Sequence, residues 1–219
     1  MTSLMITGAT GLVGRQALAL ALDDRRVDRV VAPTRRPLAA HTKLDNPIVD
    51  FARLPEAAGW WSVDGAICAL GTTRAAAGSA EAFRLVDFDH ALNVARLVRE
   101  HGATRFGLIS SMGADPASRF LYTRTKGELE VAVRRLAFPS LTIVRPGLLG
   151  GERDEFRATE RIAAAVLRVA APLLPPAWRI SPAAAVASVL VEAAVAGAPG
   201  ITVVEAARLA GAETSPTGR

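Results

Sequence analysis

The feature that most constrains this chain is a glycine-rich turn near its start. Residues 4–14 have the sequence Leu-Met-Ile-Thr-Gly-Ala-Thr-Gly-Leu-Val-Gly, and an Ala/Leu-rich segment, 15–22, follows directly. This sequence predicts a short apolar strand, a tight turn and a helix. The helix points its first N–H groups and the positive end of its dipole at the turn. The usual ligand of such a turn is a dinucleotide pyrophosphate, although a turn that binds nothing is the alternative. The residues predicted to hold it are Gly8, Thr10, Gly11, Leu12, Val13 and Gly14.

Residues 27–34 predict a second strand, which ends in Arg35-Arg36-Pro37. In dinucleotide folds an acidic side chain near this point accepts hydrogen bonds from the adenosine ribose, whereas arginine suits a 2′-phosphate. The acid is absent here and two arginines stand in its place. We therefore predict NADP(H) rather than NAD(H), with Arg35 and Arg36 on the phosphate; an ordinary exposed arginine pair is the alternative.

Strand and helix patterns continue to alternate along the chain. This alternation predicts an α/β protein, a Rossmann-type doubly wound parallel sheet of order 3-2-1-4-5-6. The whole chain, 1–219, fits a single domain, in which residues 150–210 are predicted to form a small helical cap and 201–204 an optional seventh strand. The predicted strands are 47–51, 63–70, 104–109 and 140–145, and the predicted helices include 81–101, 118–136 and 182–196.

Two strand ends add candidate cofactor contacts. Asp50 and Phe51 end the third strand, where such folds place a polar contact and an apolar wall for the adenine. Leu70 and Gly71 end the fourth strand beside the first turn, where a glycine lets the backbone lie close to a cofactor.

Tyr122 and Lys126 lie four residues apart on a predicted helix, so both project from one face. A neighbouring ammonium favours the phenolate, and a phenol so placed can exchange a proton with a carbonyl or alcohol oxygen while hydride is transferred. Lysine would also bond the nicotinamide ribose, and a serine after strand five would hold the substrate oxygen. An exposed tyrosine and lysine on a surface helix are the alternative.

Five motifs together resemble the atypical short-chain dehydrogenases/reductases of the NAD(P)-binding, epimerase/dehydratase-like superfamily, and are most similar to the Tat-interactive-protein-like oxidoreductase branch. The resemblance implies a Rossmann fold with bound NADP(H). It implies that Tyr122 is the acid/base and Lys126 its partner. It also implies that Ser111, in preference to Ser110, orients the substrate, and that Pro146 lies near the nicotinamide. The helix asparagine of classical members is absent, and Asp87 falls near its place. The motifs are 8–14, 70–74, 110–114, Tyr122-x-x-x-Lys126-Gly-Glu and Arg145-Pro146-Gly147.

The resemblance implies an oxidoreductase acting on a small carbonyl or alcohol substrate, and paired-helix homodimers are common in this superfamily. An NADP(H)-binding regulatory or protein-interaction module with little catalysis is the second hypothesis. This second hypothesis is motivated by the apolar stretch 166–178, which could form a surface for a partner protein. The alternative is that the stretch is buried in the core.

Composition narrows the function classes further. The net charge is +5, but the arginines are scattered and form no basic block, so nucleic-acid binding is unsupported. The single cysteine, Cys68, fits a reducing compartment, and no apolar run is long enough to span a bilayer. These features predict a cytoplasmic protein without membrane association. The histidines, 41, 90 and 101, show no ligand spacing, so we predict no metal site.

Overall fold

A seven-stranded parallel sheet forms the centre of the computed structural model, which describes residues 2–150 and 180–210. Its order is β3-β2-β1-β4-β5-β6-β9, which confirms the predicted order and adds the seventh strand beside β6. A separate pair, β7 with β8, lies after β6 in the chain. The strands are β1 (Thr2–Thr7), β2 (Val27–Val31), β3 (Leu44–Asp45), β4 (Gly65–Cys68), β5 (Arg105–Ile109), β6 (Ser140–Arg145), β7 (Leu149–Gly150), β8 (Ser181–Pro182) and β9 (Gly200–Glu205).

Helices cover both faces of the sheet. Alternate residues of β1 point to opposite faces, so Leu4 and Ile6 pack in the cluster that holds α1 and α6, and Met5 in the one that holds α4 and α5. Strands buried on both faces are typical of parallel sheets. The helices are α1 (Leu12–Asp23), α2 (Arg74–Ala77), α3 (Ala80–Arg84), α4 (Ala91–Glu100), α5 (Leu121–Arg134), α6 (Ala183–Ala196) and α7 (Ala206–Ala210), with a 3₁₀ turn at Gly59–Trp61.

The predicted third strand, 47–51, is wrong in position. β3 is Leu44–Asp45, and only Ile48 continues the pairing, as an isolated bridge to Thr34. Pro47 has no N–H to donate to a ladder. The Asn46 side chain instead donates to the Ala32 carbonyl, so the strand ends at this asparagine.

The predicted helix 81–101 is interrupted. A π-helical segment, Leu85–His90, joins α3 to α4, and it carries the buried Asp87. The π segment replaces i→i+4 by i→i+5 hydrogen bonds, a change that the spacing of apolar residues did not predict. The helix ends as predicted at Gly102, which has φ of +100°.

The described part of the predicted cap belongs to the sheet domain. α6 packs against α1, and β9 pairs with β6 along its whole length. The predicted cap stays a prediction for residues 151–179, which lie outside the described residues, as does the stretch 166–178. Among the helices of the described ranges, none has the length and apolar character to cross a membrane.

Candidate active site

The glycine turn lies at the point where the order of the strands across the sheet reverses. β1 has β2 on one side and β4 on the other, so a crevice opens at their carboxyl ends. Gly8 has φ of +78°, and a Cβ there would overlap the carbonyl of Ala69. A Cβ on Gly14 would overlap the carbonyl of Gly8. Gly8 is therefore required for the turn to lie against the backbone that follows β4, and Gly14 for the start of α1 to lie against the turn.

Helix α1 begins without a capping side chain. Gly11 is its N-cap residue and no acidic residue lies in its first turn. The first N–H groups and the positive end of the dipole therefore face the crevice without a side-chain oxygen bound to them. Thr10 and Gly11 are exposed at this point, whereas Leu12 and Val13 are buried beneath it. This arrangement fits an anionic pyrophosphate.

The loop after β2 is shaped by Asn46, which the sequence analysis did not single out. Its Nδ2 donates to the Ala32 carbonyl at 2.5 Å and to Thr34 Oγ1 at 2.8 Å, and its Oδ1 accepts the Leu38 N–H at 2.8 Å. Buried Thr34 in turn donates to the Arg36 carbonyl at 2.6 Å. The loop backbone is thus fixed from within.

Arg35 and Arg36 lie on this loop with exposed side chains, at the carboxyl end of β2. Two guanidinium groups on a fixed backbone can reach an anion without an ordering cost for the loop itself.

Asp50 and Phe51 follow the bridge at Ile48. Asp50 Oδ1 accepts the Ala52 N–H at 2.9 Å, so this carboxylate is engaged in its own turn. The Phe51 ring lies 6.1 Å from the His90 ring. Burial lowers the pKa of His90, against the opposing effect of the carboxylates of Asp89 and Asp50. The Phe51 and His90 rings together give this side an aromatic wall.

Lys126 is buried at the carboxyl end of β4. Its Nζ lies 2.7 Å from Asp87 Oδ1, and both side chains are almost wholly buried. Asp87 Oδ2 accepts the Thr72 N–H at 2.7 Å. A Cβ on Gly71 would approach both the Asp87 carboxylate and the Lys126 ammonium, so the backbone after Leu70 lies directly on this pair. Asp87, which falls in the sequence near the place of the helix asparagine of classical members, thus lies beside Lys126.

Tyr122 lies one turn before Lys126, at the start of α5, and 44% of it is exposed. Its ring packs 5.8 Å from that of buried Phe83. The two serines after β5 differ sharply. Ser110 is buried and donates to Glu130 Oε1 at 2.5 Å, whereas Ser111 is half-buried and donates only to the Met112 carbonyl, at 3.1 Å. Ser111 is therefore the serine with a hydroxyl that a ligand can reach.

A second charge cluster, also missed from the sequence, supports this edge of the sheet. The Arg145 guanidinium binds buried Glu130 through two contacts, Nε to Oε1 at 2.8 Å and Nη2 to Oε2 at 2.7 Å, and reaches Glu205 at 3.1 Å. These carboxylates raise the pKa of Arg145 above its ordinary value. The cluster joins α5 to the ends of β6 and β9.

Pro146 is buried and directly follows Arg145, and its carbonyl accepts the Met112 N–H at 2.9 Å. The proline turn is thereby fixed beside the Ser111 loop. Cys68 lies fully buried at the end of β4, and burial raises the pKa of its thiol, so it is a core residue. Within residues 2–150 and 180–210, no group of three His, Cys, Asp or Glu side chains is arranged to hold a metal ion.

Curated relatives match across most of the chain. Rat protein HTATIP2 is 39% identical over 166 residues, which cover 74% of this chain and 68% of that protein. Protein fmp52, mitochondrial, of Emericella nidulans is 37% identical over 171 residues, covering 74% and 73%. The chain belongs to the HTATIP2/FMP52 family of atypical short-chain dehydrogenases/reductases. The resemblance drawn from the five motifs is thus confirmed.

Solved structures show the same fold at low sequence identity. The enzyme WbmH of Bordetella bronchiseptica, solved in complex with NAD+, aligns with a TM-score of 0.69 at 15% identity, over 94% of this chain and 75% of that one. The chain therefore has the Rossmann-type fold of NAD(P)-binding epimerases and dehydratases. No family model matches the sequence.

The prediction of a cytoplasmic protein requires correction. The fungal FMP52 relatives carry the word mitochondrial in their names. Members of this family are therefore not confined to the cytoplasm, and composition and cysteine content could not have shown it.

Proposed function

We propose that this protein is an NADP(H)-dependent oxidoreductase of the short-chain dehydrogenase type, acting on a small carbonyl or alcohol compound. The observation that carries the proposal is the position of Lys126, buried against Gly71 at the switch point of the sheet, one helical turn from exposed Tyr122. A buried lysine at a cofactor crevice beside an accessible phenol suits proton transfer coupled to hydride transfer.

The residues present fit a dinucleotide. Gly8 and Gly14 leave space that a Cβ would fill, the start of α1 offers backbone N–H groups to the pyrophosphate, and Arg35 and Arg36 suit a 2′-phosphate. Phe51 would lie against the adenine, with Asp50 as the polar contact beside it. When bound, the cofactor supplies the hydride or accepts it.

In the direction of reduction, the Tyr122 hydroxyl gives its proton to the substrate oxygen as the carbonyl carbon gains hydride. Ser111 donates a hydrogen bond to the same oxygen and fixes its position. With a dinucleotide bound, Lys126 would stabilise the resulting phenolate and bond the ribose, and Pro146 would lie on the nicotinamide side. Tyr122 regains a proton from solvent, so the site is restored.

Binding and turnover separate the two hypotheses. Calorimetry with NADPH, NADP+, NADH and NAD+ is expected to show binding, with the phosphorylated forms tighter. A panel of aldehydes and ketones is then screened for NADPH oxidation. Tyr122→Phe should abolish turnover and keep dinucleotide affinity.

Absence of binding by either dinucleotide would exclude the proposal. Binding with no turnover across the panel would favour the regulatory module instead. An active enzyme that is unaffected by Tyr122→Phe would remove Tyr122 from the mechanism.

A further inference from the structure

The backbone that follows β6 is held from outside the main sheet. β6 ends at Arg145, and the strands on its two sides end beside it, β5 at Ile109 and β9 at Glu205. Pro146 has no N–H with which to extend the ladder. The backbone of residues 146–148, which we call the Pro146 turn, therefore needs other hydrogen-bond partners.

Ser181 supplies two hydrogen bonds to this turn from 34 positions further along the chain. Its Oγ accepts the Gly147 N–H at 3.1 Å, and its own N–H donates to the Leu148 carbonyl at 2.8 Å. The Ser181 side chain is fully buried, so water does not compete for its oxygen. A single serine thus holds two consecutive residues of the turn.

Ser181 is itself anchored to the core of the domain. It precedes Pro182, and a residue before proline is restricted to extended backbone, which suits its pairing with Leu149 in the β7–β8 pair. Pro182 is the N-cap residue of α6, and its ring fixes φ where the helix begins. In α6, Val186 and Leu190 have no exposed surface. Ser181 therefore connects a well-packed helix to the Pro146 turn.

The Pro146 turn borders the candidate active site at one end of the crevice. Its first carbonyl, that of Pro146, accepts the Met112 N–H at 2.9 Å, so the turn also holds the loop that carries Ser111. Between β6 and β1 lie two strands, β4 and β5. The Pro146 turn and the glycine turn therefore lie at different parts of the carboxyl edge, and a change in one need not alter the other.

We propose that Ser181 is a positioning residue, which holds the Pro146 turn in place for the nicotinamide end of a bound dinucleotide. The inference rests on the proposed function for the presence of that dinucleotide. Ser181 acts through the Gly147 N–H and the turn, and not by contact with the ligand. A turn that is fixed in advance needs no ordering on binding, so the nicotinamide ring binds more tightly against it.

Two ligands that differ only in the nicotinamide ring isolate this effect. NADP+ and 2′-phospho-ADP-ribose share the adenosine, the pyrophosphate and the second ribose, so a change on the adenosine side alters both affinities equally. Calorimetry on each variant gives the ratio of the two affinities. NAD+ and ADP-ribose form the corresponding pair without the 2′-phosphate, so the ratio can be measured whichever dinucleotide the protein prefers.

Ser181→Ala is expected to weaken NADP+ binding about three- to tenfold and to change the affinity for 2′-phospho-ADP-ribose less than about twofold. Ser181→Cys keeps the size of the side chain, but sulfur is a weak acceptor, so it should behave like alanine. Ser181→Thr keeps the hydroxyl and should keep the wild-type ratio. The matched control is Ser140→Ala, which removes a buried hydroxyl at the opposite end of β6 and should leave the ratio unchanged.

Thermal unfolding first confirms that each variant is folded, and the alanine and cysteine variants decide the matter if threonine does not fit. An unchanged ratio in Ser181→Ala would overturn the proposal, as would equal weakening of both ligands, which a purely structural role predicts. A wild-type ratio in Ser181→Cys would assign the effect to packing and would also overturn it. A wild-type protein that binds neither ligand of either pair would refute the proposed function and this inference with it, whereas the other results refute the inference alone.

The hydrogen bond itself can be measured without a ligand. In the wild type, the Gly147 N–H should exchange slowly with deuterium in NMR, because it donates to a buried oxygen. Ser181→Ala should speed this exchange at least about tenfold and leave the N–H of Ile143, in the middle of β6, unchanged. A Gly147 N–H that exchanges in the wild type as fast as an exposed amide would refute the contact.

Discussion

Glu130 holds Arg145 through two hydrogen-bonded contacts at a position where the Glu130 side chain is only 3% exposed. Removing the Glu130 charge leaves the Arg145 guanidinium with only the exposed carboxylate of Glu205, and breaking a buried pair on one side typically costs about 3 kcal/mol of unfolding free energy. Glu130→Gln is therefore expected to destabilise the protein by about that amount in denaturant titration. Glu205→Gln removes a carboxylate that binds the same arginine but is 54% exposed, and should cost less than about 1 kcal/mol. Equal losses in the two variants would contradict this view of the cluster.

Acid should weaken the link between β1 and the start of β4. Asp64 Oδ2 accepts both the backbone N–H and the hydroxyl of Ser3, each at 2.7 Å. The Ser3 N–H lowers the pKa of Asp64 below its ordinary value of 3.8, burial opposes this effect, and the Ser3 hydroxyl lowers the pKa further. A carboxyl whose pKa is lower in the folded state stabilises the fold above its unfolded pKa and loses that contribution as pH falls through the folded one.

The difference in unfolding free energy between wild type and Asp64→Asn should accordingly be largest at neutral pH. It should shrink steadily below about pH 4. Asp28→Asn, at an exposed position of β2, is the control. A difference that is constant between neutral and acid pH would show that the hydrogen bonds of Asp64 do not depend on its charge.

Gly14 is expected to tolerate no side chain. Gly14→Ala would place a Cβ onto the carbonyl of Gly8, a backbone atom that cannot move without opening the turn. We expect loss of dinucleotide binding and a destabilisation of at least about 2 kcal/mol. Gly59→Ala is the control, since a Cβ there meets no atom within 4 Å. Calorimetric titration of a folded Gly14→Ala protein that still binds normally would be evidence against this turn as the pyrophosphate site.

How much of this site the sequence could predict depends on how local each interaction is. The glycine turn and the Tyr122–Lys126 pair are set by neighbours within a few residues, so spacing alone located them. The contacts of Asn46 and Glu130 are with residues 14 and 15 positions away, and Arg145 reaches Glu205 across 60 positions. Such pairings depend on the register of strands and helices, which no local pattern encodes. The π segment around Asp87 was also not predicted, and its buried residue is a carboxylate whose partners, Thr72 and Lys126, lie 15 and 39 positions away.

Arg35 and Arg36 are predicted to decide between the two dinucleotides. Replacing both by alanine should weaken NADP(H) binding by about 3–6 kcal/mol, since each charged hydrogen-bonded contact to phosphate contributes about 1.5–3 kcal/mol. NAD(H), which has no 2′-phosphate, should bind with nearly unchanged affinity. Arg25→Ala alters an exposed arginine near the opposite end of β2 and should affect neither. Equal weakening of both dinucleotides would mean that the arginines shape the loop and do not contact the 2′-phosphate.

Asn46 is predicted to affect the preference for NADP(H) over NAD(H) without contacting the dinucleotide. Its amide binds the Ala32 carbonyl, Thr34 Oγ1 and the Leu38 N–H, and so fixes the loop that carries both arginines. Asn46→Ala should let this loop move, so the arginines must be ordered on binding and NADP(H) affinity falls by about 1 kcal/mol, with NAD(H) affinity less affected. Asn46→Asp keeps the shape but loses both N–H donors, and should resemble alanine. Asn46→Gln, which keeps the amide, should recover part of the preference for NADP(H). If all three variants lose stability but keep the wild-type ratio of affinities for the two dinucleotides, Asn46 supports the fold alone and the arginines position themselves.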